Sequence, residues 1–275
     1  MATLNSILWA RCRLRLAVVL VAVGCGLGRA AEPGVPPGGD PVRIRSLPPR
    51  PERLYHEAKA RWSRASTNAT DCWHFGRACF DWAEHASNNT QRAALATEGI
   101  EACRQSIALA PSNAPAYFFL GLNCGQLART KLLGALRLVS QMEGAWLKAV
   151  ELDPLFDHGG PHRALGVLYR DAPGWPASIG SRSKARQHLL KAVELAPQYP
   201  GNRLFLLESY AQWGERRLIQ QQAAETERFL VAARREFAGE EWALDWAEWD
   251  RLWARIKAQG QLPGAGGNAR SPRDR

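Results

Sequence analysis

Apolar residues recur at spacings of three and four along most of this chain, from Leu54 onward. The first such segment places Leu54, Tyr55, Ala58 and Trp62 on one helical face, just after Pro51, a residue favoured in the first turn of a helix. No stretch alternates apolar and polar residues as a strand does, and no Asn-Gly or Asp-Gly hairpin turn occurs. The pattern therefore predicts an all-α fold.

Three similar pentads, each ending in proline, recur at residues 107–111, 150–154 and 193–197. Their prolines stand 43 residues apart, and a small residue precedes each pentad, as expected where two helices approach closely. Because proline lacks the backbone donor that continues a helix, each pentad is predicted to be a helix C-terminus. The chain is thus predicted to be a series of helical repeats.

The segments between these prolines resemble the tetratricopeptide repeat. The resemblance rests on the Leu-Gly pairs at residues 120–121 and 165–166, on Tyr169 three positions later, and on the alanines and bulky residues of the following helix. Phe75-Gly76 and Cys79 take these places in the first repeat. The resemblance implies an all-α superhelix of about four helical hairpins over residues 70–235, with long second helices and a capping C-terminal helix.

The repeat spacing is longer than the usual tetratricopeptide unit of about 34 residues. In the second repeat the excess lies between Gly121 and Ala149, and predicts a longer helix or an added one through residues 131–139. In the third repeat, two extra residues fall in the segment 157–161, where two glycines and a proline predict a turn, and seven fall in the segment 171–180.

The N-terminus has the features of an export signal. Residues 1–30 combine arginines, a short apolar run and small residues before Ala31, which predicts a signal peptide that is cleaved there. The alternative is lipidation at Cys25, because residues 22–25 approximate a bacterial lipobox. Residues 31–50 are predicted to be a Pro/Gly-rich linker, residues 51–257 the repeat domain, and residues 258–275 a disordered tail.

Export, long second helices and the insertion Asp171-Ala-Pro-Gly-Trp-Pro176 together resemble the periplasmic T-component (TatT-like) proteins of TRAP transporters. This resemblance implies a periplasmic or envelope-associated protein without catalysis or a cofactor of its own. It also implies a partner solute-binding protein and a small organic solute as the bound species. Contact with a membrane is then expected only through a lipid anchor at Cys25.

Charge and motifs exclude several classes of function. The formal net charge of +10 falls to +6 without residues 1–30, which hold four arginines and no acidic residue, and export makes a nucleic-acid partner a poor interpretation. No HExxH, GxSxG or Walker sequence occurs. His158 and His162 flank the predicted turn rather than forming a metal site. We therefore expect neither an enzyme nor a metal-binding protein.

Candidate binding residues follow from the repeat register, because the first helices of such hairpins line a concave surface. Arginine and tyrosine together suit a carboxylate attached to an apolar body. For Tyr169 and Tyr210 the alternative is the ordinary aromatic packing position of each repeat. The residues predicted to line the surface are Tyr117, Asn123, Arg129, His162, Arg163, Tyr169, Arg170, Arg203 and Tyr210.

Two groups of tryptophans carry separate hypotheses. Trp175 lies between Gly174 and Pro176, and we expect its loop to cover one end of the concave surface and to contact a ligand or a partner; the alternative is that it fills a groove between helices. Four tryptophans from residue 242 to residue 253 recur at spacings of four, three and four, which predicts a capping helix. A ligand stripe or a dimer contact is the alternative for those four.

Four cysteines, Cys72, Cys79, Cys103 and Cys124, remain after the signal segment. An exported protein can pair them, and an antiparallel hairpin would bring Cys72 to the level of Cys103 and leave Cys79 to face Cys124. Small buried thiols are the alternative.

The sequence as a whole favours an exported, non-catalytic binding protein. Its expected partners are a protein or peptide, such as a solute-binding protein, and a small organic anion. The alternative is a structural protein–protein interaction scaffold in the cell envelope.

Overall fold

The computed structural model describes residues 50–64, 67–131 and 134–260. The predicted signal peptide, the linker up to residue 49, Cys25 and the tail beyond Gly260 lie outside these residues. Over the described ranges the chain forms helices and no strand, and none of these helices has the length and apolarity that a membrane crossing requires. The helices are α1 (Arg50–Arg64), α2 (Ala69–Glu84), α3 (Asn89–Leu109), α4 (Ala114–Ala128), α5 (Ala135–Leu152), α6 (Phe156–Asp171), α7 (Arg182–Leu195), α8 (Pro200–Gln212), α9 (Arg216–Glu236) and α10 (Ala243–Gly260).

The helices form four hairpins, α2 with α3, α4 with α5, α6 with α7, and α8 with α9. The predicted tetratricopeptide-like, all-α architecture is confirmed. Helix α1 packs on α2, and successive first helices also pack on one another, α2 on α4, α4 on α6, and α6 on α8. The first helices therefore share one side of the stack, and this arrangement positions the candidate site.

Close approach of the two helices in the first three hairpins depends on glycine. A Cβ placed on Gly121 would lie 2.3 Å from Nε1 of Trp146, and one placed on Gly166 would lie 2.6 Å from Cγ of Leu189. Gly76 has the same position in the first hairpin, where a Cβ would lie 2.3 Å from a sulfur atom of α3. The Leu-Gly pair is thus a packing requirement, because a larger side chain would collide with the second helix.

The long repeat is accommodated in α5 and in two connections. Helix α5 has 18 residues where α7 has 14, so part of the excess in the second repeat lengthens a helix. In the third repeat Asp157, His158 and Gly159 adopt left-handed φ angles of 52°, 55° and 75°, which make the predicted turn at the start of α6. The segment from Ala172 to Ser181 forms an inserted loop between α6 and α7.

The tryptophan-rich helix α10 closes the stack, as predicted for a cap. It packs on α8 and α9. Trp242, in the turn just before α10, and the three tryptophans of α10 itself, at residues 246, 249 and 253, are all buried. Trp246 donates its Nε1–H to the carbonyl oxygen of Phe237 over 2.7 Å, which satisfies the buried indole. Apolar surface of the last hairpin is covered in this way.

Candidate functional site

The first helices pair with one another through charged side chains, and we call this side of the stack the inner face. Its members come from all four hairpins, and they are Arg77, Asp81, Glu84, Gln126, Arg129, Asp157, Arg163, Arg170, Asp171 and Glu208. Glu84 joins α2 to α4, and Arg163 and Arg170 join α6 to α8, whereas Arg77 pairs with Asp81 inside α2. The inner face is therefore formed by the assembled stack and by no single hairpin.

The α2 and α4 part of the inner face combines aromatic rings with a buried carboxylate. The Trp73 ring stacks on Phe119 with centroids 5.9 Å apart, and the Arg77 guanidinium lies 5.8 Å from the centroid of the same Phe119 ring. About two turns after Arg77 in α2, Glu84 accepts hydrogen bonds from the amide of Gln126 and, over 3.2 Å, from Nη1 of Arg129. Arg129 is thus neutralised by a carboxylate of the preceding repeat.

Arg163 is buried and holds the left-handed turn at the start of α6. Its Nη2 pairs with Oδ2 of Asp157 at 2.7 Å and also donates to the Asp157 carbonyl oxygen at 3.1 Å. Its Nη1 donates to the His158 carbonyl oxygen at 3.2 Å and to Oδ1 of Asn202 at 2.8 Å. Left-handed φ angles are costly for residues other than glycine, so these bonds stabilise a conformation that the inserted residues would otherwise resist.

Arg170 is the second arginine of the inner face whose side chain is almost fully buried. It pairs with Asp171 at 2.6 Å and with Glu208 of α8 at 3.0 Å, and it donates to the Ser209 hydroxyl over 3.2 Å. Two carboxylates therefore surround one arginine. With Arg129 and Arg163 this makes three predicted binding arginines whose charge is compensated inside the protein.

Two aspartates of the inner face hold protons more tightly than usual. Burial raises the pKa of Asp157 to about 6, against the opposing effect of Arg163 and of Arg77 on α2. Burial likewise raises the pKa of Asp81 to about 6, and Oδ1 of Asp81 has no hydrogen-bond partner among the described residues.

The structure places the nine residues predicted for the concave surface in three different environments. Arg129, Arg163 and Arg170 lie on the inner face. Asn123 is fully buried, where it donates to the carbonyl oxygens of Gly76 at 2.8 Å and Phe119 at 2.9 Å, so it joins helices instead of lining a surface. Five others point toward the second helices: Tyr117, His162, Tyr169, Arg203 and Tyr210.

Contacts with the second helices occupy most of those five side chains. The Tyr169 hydroxyl donates to Glu143 of α5 over 2.6 Å, and Nδ1 of His162 lies 3.0 Å from Nδ1 of His188 on α7. Arg203 pairs with Glu225 of α9 at 2.9 Å. Tyr210 lies under an arginine of α7, with the guanidinium carbon 5.3 Å from the ring centroid. The alternative predicted for Tyr169 and Tyr210, packing within the repeat, agrees with their burial.

Trp175 has the opposite environment, since 89% of its surface is exposed. The loop that carries it closes on itself, because the Gly180 amide donates to the Pro173 carbonyl oxygen and the Ser181 amide to that of Tyr169, each over 2.8 Å. Gly180 is tightly enclosed, and a Cβ there would lie 2.1 Å from the Ala172 carbonyl oxygen. The alternative that Trp175 fills a groove between helices is wrong for this structure.

The four cysteines of the repeat domain are buried thiols without a disulfide in this structure. Burial raises the pKa of each, that of Cys124 to about 11. Cys103 of α3 interacts electrostatically with both Cys72 and Cys124, so it lies at the centre of the group. The predicted pairing of Cys72 with Cys103 and of Cys79 with Cys124 stays a prediction.

Sequence reasoning missed the carboxylates that pair with the arginines. A signal for them exists, because Asp81, Gln126 and Asp171 stand 45 residues apart, and so do Glu84 and Arg129. Polar residues at the repeat distance on the first helices mark the inner face. Among the described residues no group of three or more His, Cys, Asp or Glu side chains is arranged to hold a metal ion.

Comparison with known proteins supports the fold. The sequence matches no model of a known protein family and no curated protein. Among solved structures it is similar to TTC0263, a thermophilic TPR protein of Thermus thermophilus, with a TM-score of 0.53 and 17% sequence identity. The similarity covers 78% of this chain and 92% of that one. The chain therefore has a tetratricopeptide-like fold.

Proposed function

We propose that this protein is an exported, non-catalytic binding protein that docks a partner protein through the loop of residues 172–181. The observation that carries the proposal is the exposure of Trp175, whereas every other described tryptophan is buried or half-buried. Tryptophan is enriched among the residues that dominate binding energy at protein interfaces. An indole left in water by a fold that covers its other described indoles at least in part is best explained by a partner that covers it.

Order within the loop favours tight docking. The hydrogen bonds from the amides of Gly180 and Ser181 fix both ends of the loop before any partner arrives. A preformed loop loses little conformational entropy on binding, so more of the apolar burial of the indole contributes to affinity. Helical repeats supply the rigid, extended support that such a loop needs.

The inner face is a poor site for a small anion. Arg129, Arg163 and Arg170 are each compensated by carboxylates from this chain, and a free carboxylate would have to displace those groups from buried pairs. The exposed Trp175 loop is therefore the site to which we assign partner binding. From the resemblance to T-component proteins, the proposed partner is a periplasmic solute-binding protein and the proposed role is assistance of solute uptake.

A photo-crosslinking amino acid at position 175 tests the docking. The variant is expressed in the native host with its own N-terminal segment, beside a control with the same amino acid at Val231, which is 67% exposed on α9. We expect a discrete adduct from position 175, identified by mass spectrometry as a solute-binding protein, and none from position 231. An adduct with another envelope protein would favour the scaffold alternative. Equal labelling at both positions, or none, would refute the docking role of Trp175.

Export has its own test, the intact mass of the protein matured in its native host. A chain that begins at Ala31 is expected for signal cleavage, and a diacylated or triacylated chain that begins at Cys25 for a lipid anchor. A mature chain that still begins at Met1 would contradict export.

A further inference from the structure

A groove of about 320 Å³ lies on the other side of the stack, between α3, α4 and α5. This volume falls within the range of small-molecule sites. Its lining combines three polar side chains with small or apolar ones: Arg104, Tyr117, Leu120, Cys124, Gln141, Gly144 and Ala145. A Cβ added to Gly144 would meet nothing within 4 Å, so this position of α5 is open space.

The next repeat provides an internal comparison for this groove. Gly121 of α4 and Gly166 of α6 make the same close contact with their second helices, so they occupy equivalent positions 45 residues apart. By the same offset, Tyr117 of α4 is equivalent to His162 of α6. On the second helices, Trp146 of α5 contacts Gly121 and Leu189 of α7 contacts Gly166, so equivalent positions of α5 and α7 are 43 residues apart. Equivalent positions in the two repeats can therefore be compared one by one.

In the third repeat the equivalent groove is filled by the protein itself. Where the second repeat has Ala145, the third has His188, whose ring lies against His162 and 5.5 Å from the Tyr169 centroid. Where the second repeat has the small Cys124, the third has Tyr169 itself, which reaches α5 through Glu143. Small residues therefore leave a space in the second repeat that larger ones occupy in the third.

Charge distinguishes the groove from the inner face. Arg104 is exposed, and no carboxylate of the described part of the chain forms an ion pair with it. Burial raises the pKa of Cys124 at the floor of the groove, and Arg104 acts against that rise, so the field of the guanidinium reaches the floor. An unpaired guanidinium at the edge of a partly apolar groove attracts an anion that brings its own apolar body.

We propose that this groove binds a small organic carboxylate. The carboxylate pairs with the Arg104 guanidinium, and the Tyr117 hydroxyl and the Gln141 amide provide further hydrogen bonds. Leu120 and Ala145 contact the apolar body, which extends into the space over Gly144. This site is separate from the Trp175 loop, so failure of the docking experiment would leave it unaffected, and the reverse also holds.

Calorimetric titration with phenylacetate and with hexanoate tests the proposal, beside phenylacetamide as an uncharged probe of the same shape as the first. We expect saturable binding of a carboxylate probe and at least tenfold weaker binding of the amide. The variant R104Q is expected to weaken carboxylate binding about tenfold or more, because a charge-assisted bond is lost. The matched control R217Q removes an exposed arginine of α9 and is expected to bind as the wild type does.

Filling the groove provides a test that does not depend on charge. The variant G144L places a side chain in the open space and keeps the helix, because glycine is a poor helix former and nothing lies within 4 Å of the added Cβ. We expect this variant to melt no lower than the wild type and to lose binding of both carboxylates. Absence of saturable binding of either carboxylate to the wild type would overturn the proposal, as would unchanged binding by R104Q or by the folded G144L variant.

Discussion

One substitution at two glycines tests the packing that defines the repeats. Gly121 and Gly144 both lie inside helices of the second hairpin, Gly121 in α4 and Gly144 in α5. At Gly121 a new Cβ would lie 2.3 Å from Nε1 of Trp146, whereas at Gly144 it would meet nothing within 4 Å. Replacement by alanine should therefore have opposite effects on stability at the two positions.

The expected magnitudes follow from three contributions. Alanine gains about 1 kcal/mol over glycine inside a helix, and this gain applies at both positions. At Gly121 the added methyl group overpacks a buried contact, which costs about 2 kcal/mol. Moving the Trp146 indole also breaks its 3.1 Å hydrogen bond to the Phe118 carbonyl oxygen, which costs about 1 kcal/mol more. We expect G121A to lose about 2 kcal/mol and G144A to gain about 1 kcal/mol.

Equilibrium unfolding in urea, with thermal melting as a second measurement, gives the two differences. For a domain of this size, G121A should lower Tm by about 4–8 °C and G144A should raise it by about 2–4 °C. The indole of Trp146 is almost fully buried, so it has little room to move aside. A G121A protein as stable as the wild type would refute the close approach of α4 and α5, and a destabilised G144A protein would refute the open groove.

Three further outcomes are expected. Burial, with a smaller effect of His162, lowers the pKa of His188 to about 4, below its value in the unfolded chain. The free energy of unfolding therefore decreases as pH falls from about 6.5 to 4, because the unfolded chain takes up the proton more readily. In urea unfolding, H188Q should lose about 1–2 kcal/mol less stability than the wild type between pH 7 and pH 5. R163M should cost about 3–5 kcal/mol in urea unfolding, because Asp157 and the turn carbonyls stay buried without their partner, and a cost below about 1 kcal/mol would contradict that role. The four cysteines of the repeat domain should resist alkylation in the native state and all react after unfolding without reductant, as read by mass, whereas disulfides would leave them unlabelled.

The helix ends could be predicted from sequence because they depend on local chemistry. Helices α3, α5 and α7 end at Leu109, Leu152 and Leu195, each two residues before the proline of its pentad. Proline acts on its own backbone and on the residue before it, so its effect requires no knowledge of distant contacts. The capping role of α10 was predictable for a similar reason, since four aligned tryptophans need cover wherever they lie.

The direction of side chains on the first helices could not be predicted in the same way. One residue along a helix rotates the side chain by about 100° around the axis. Tyr169 and Arg170 are neighbours in sequence, yet Tyr169 reaches Glu143 on a second helix and Arg170 reaches Glu208 on a first helix. A first helix packs against second helices on one side and against other first helices on the other side. No single polar face therefore marks its exposed surface, and periodicity alone does not show which side chains line that surface.

Whether an arginine is available to bind depends on carboxylates that lie far away in sequence. Arg129 is compensated by Glu84, 45 residues earlier, and Arg170 by Glu208, 38 residues later, and both pairs form only when adjacent hairpins stack. Arg104 looks no different in sequence from these two, but the stack brings no carboxylate of the described residues to it. A net charge of +10 therefore says little about anion binding. The distinction between a structural and a binding arginine arises at the level of packed repeats, which is why the variant R104Q, and not a count of basic residues, decides where an anion binds.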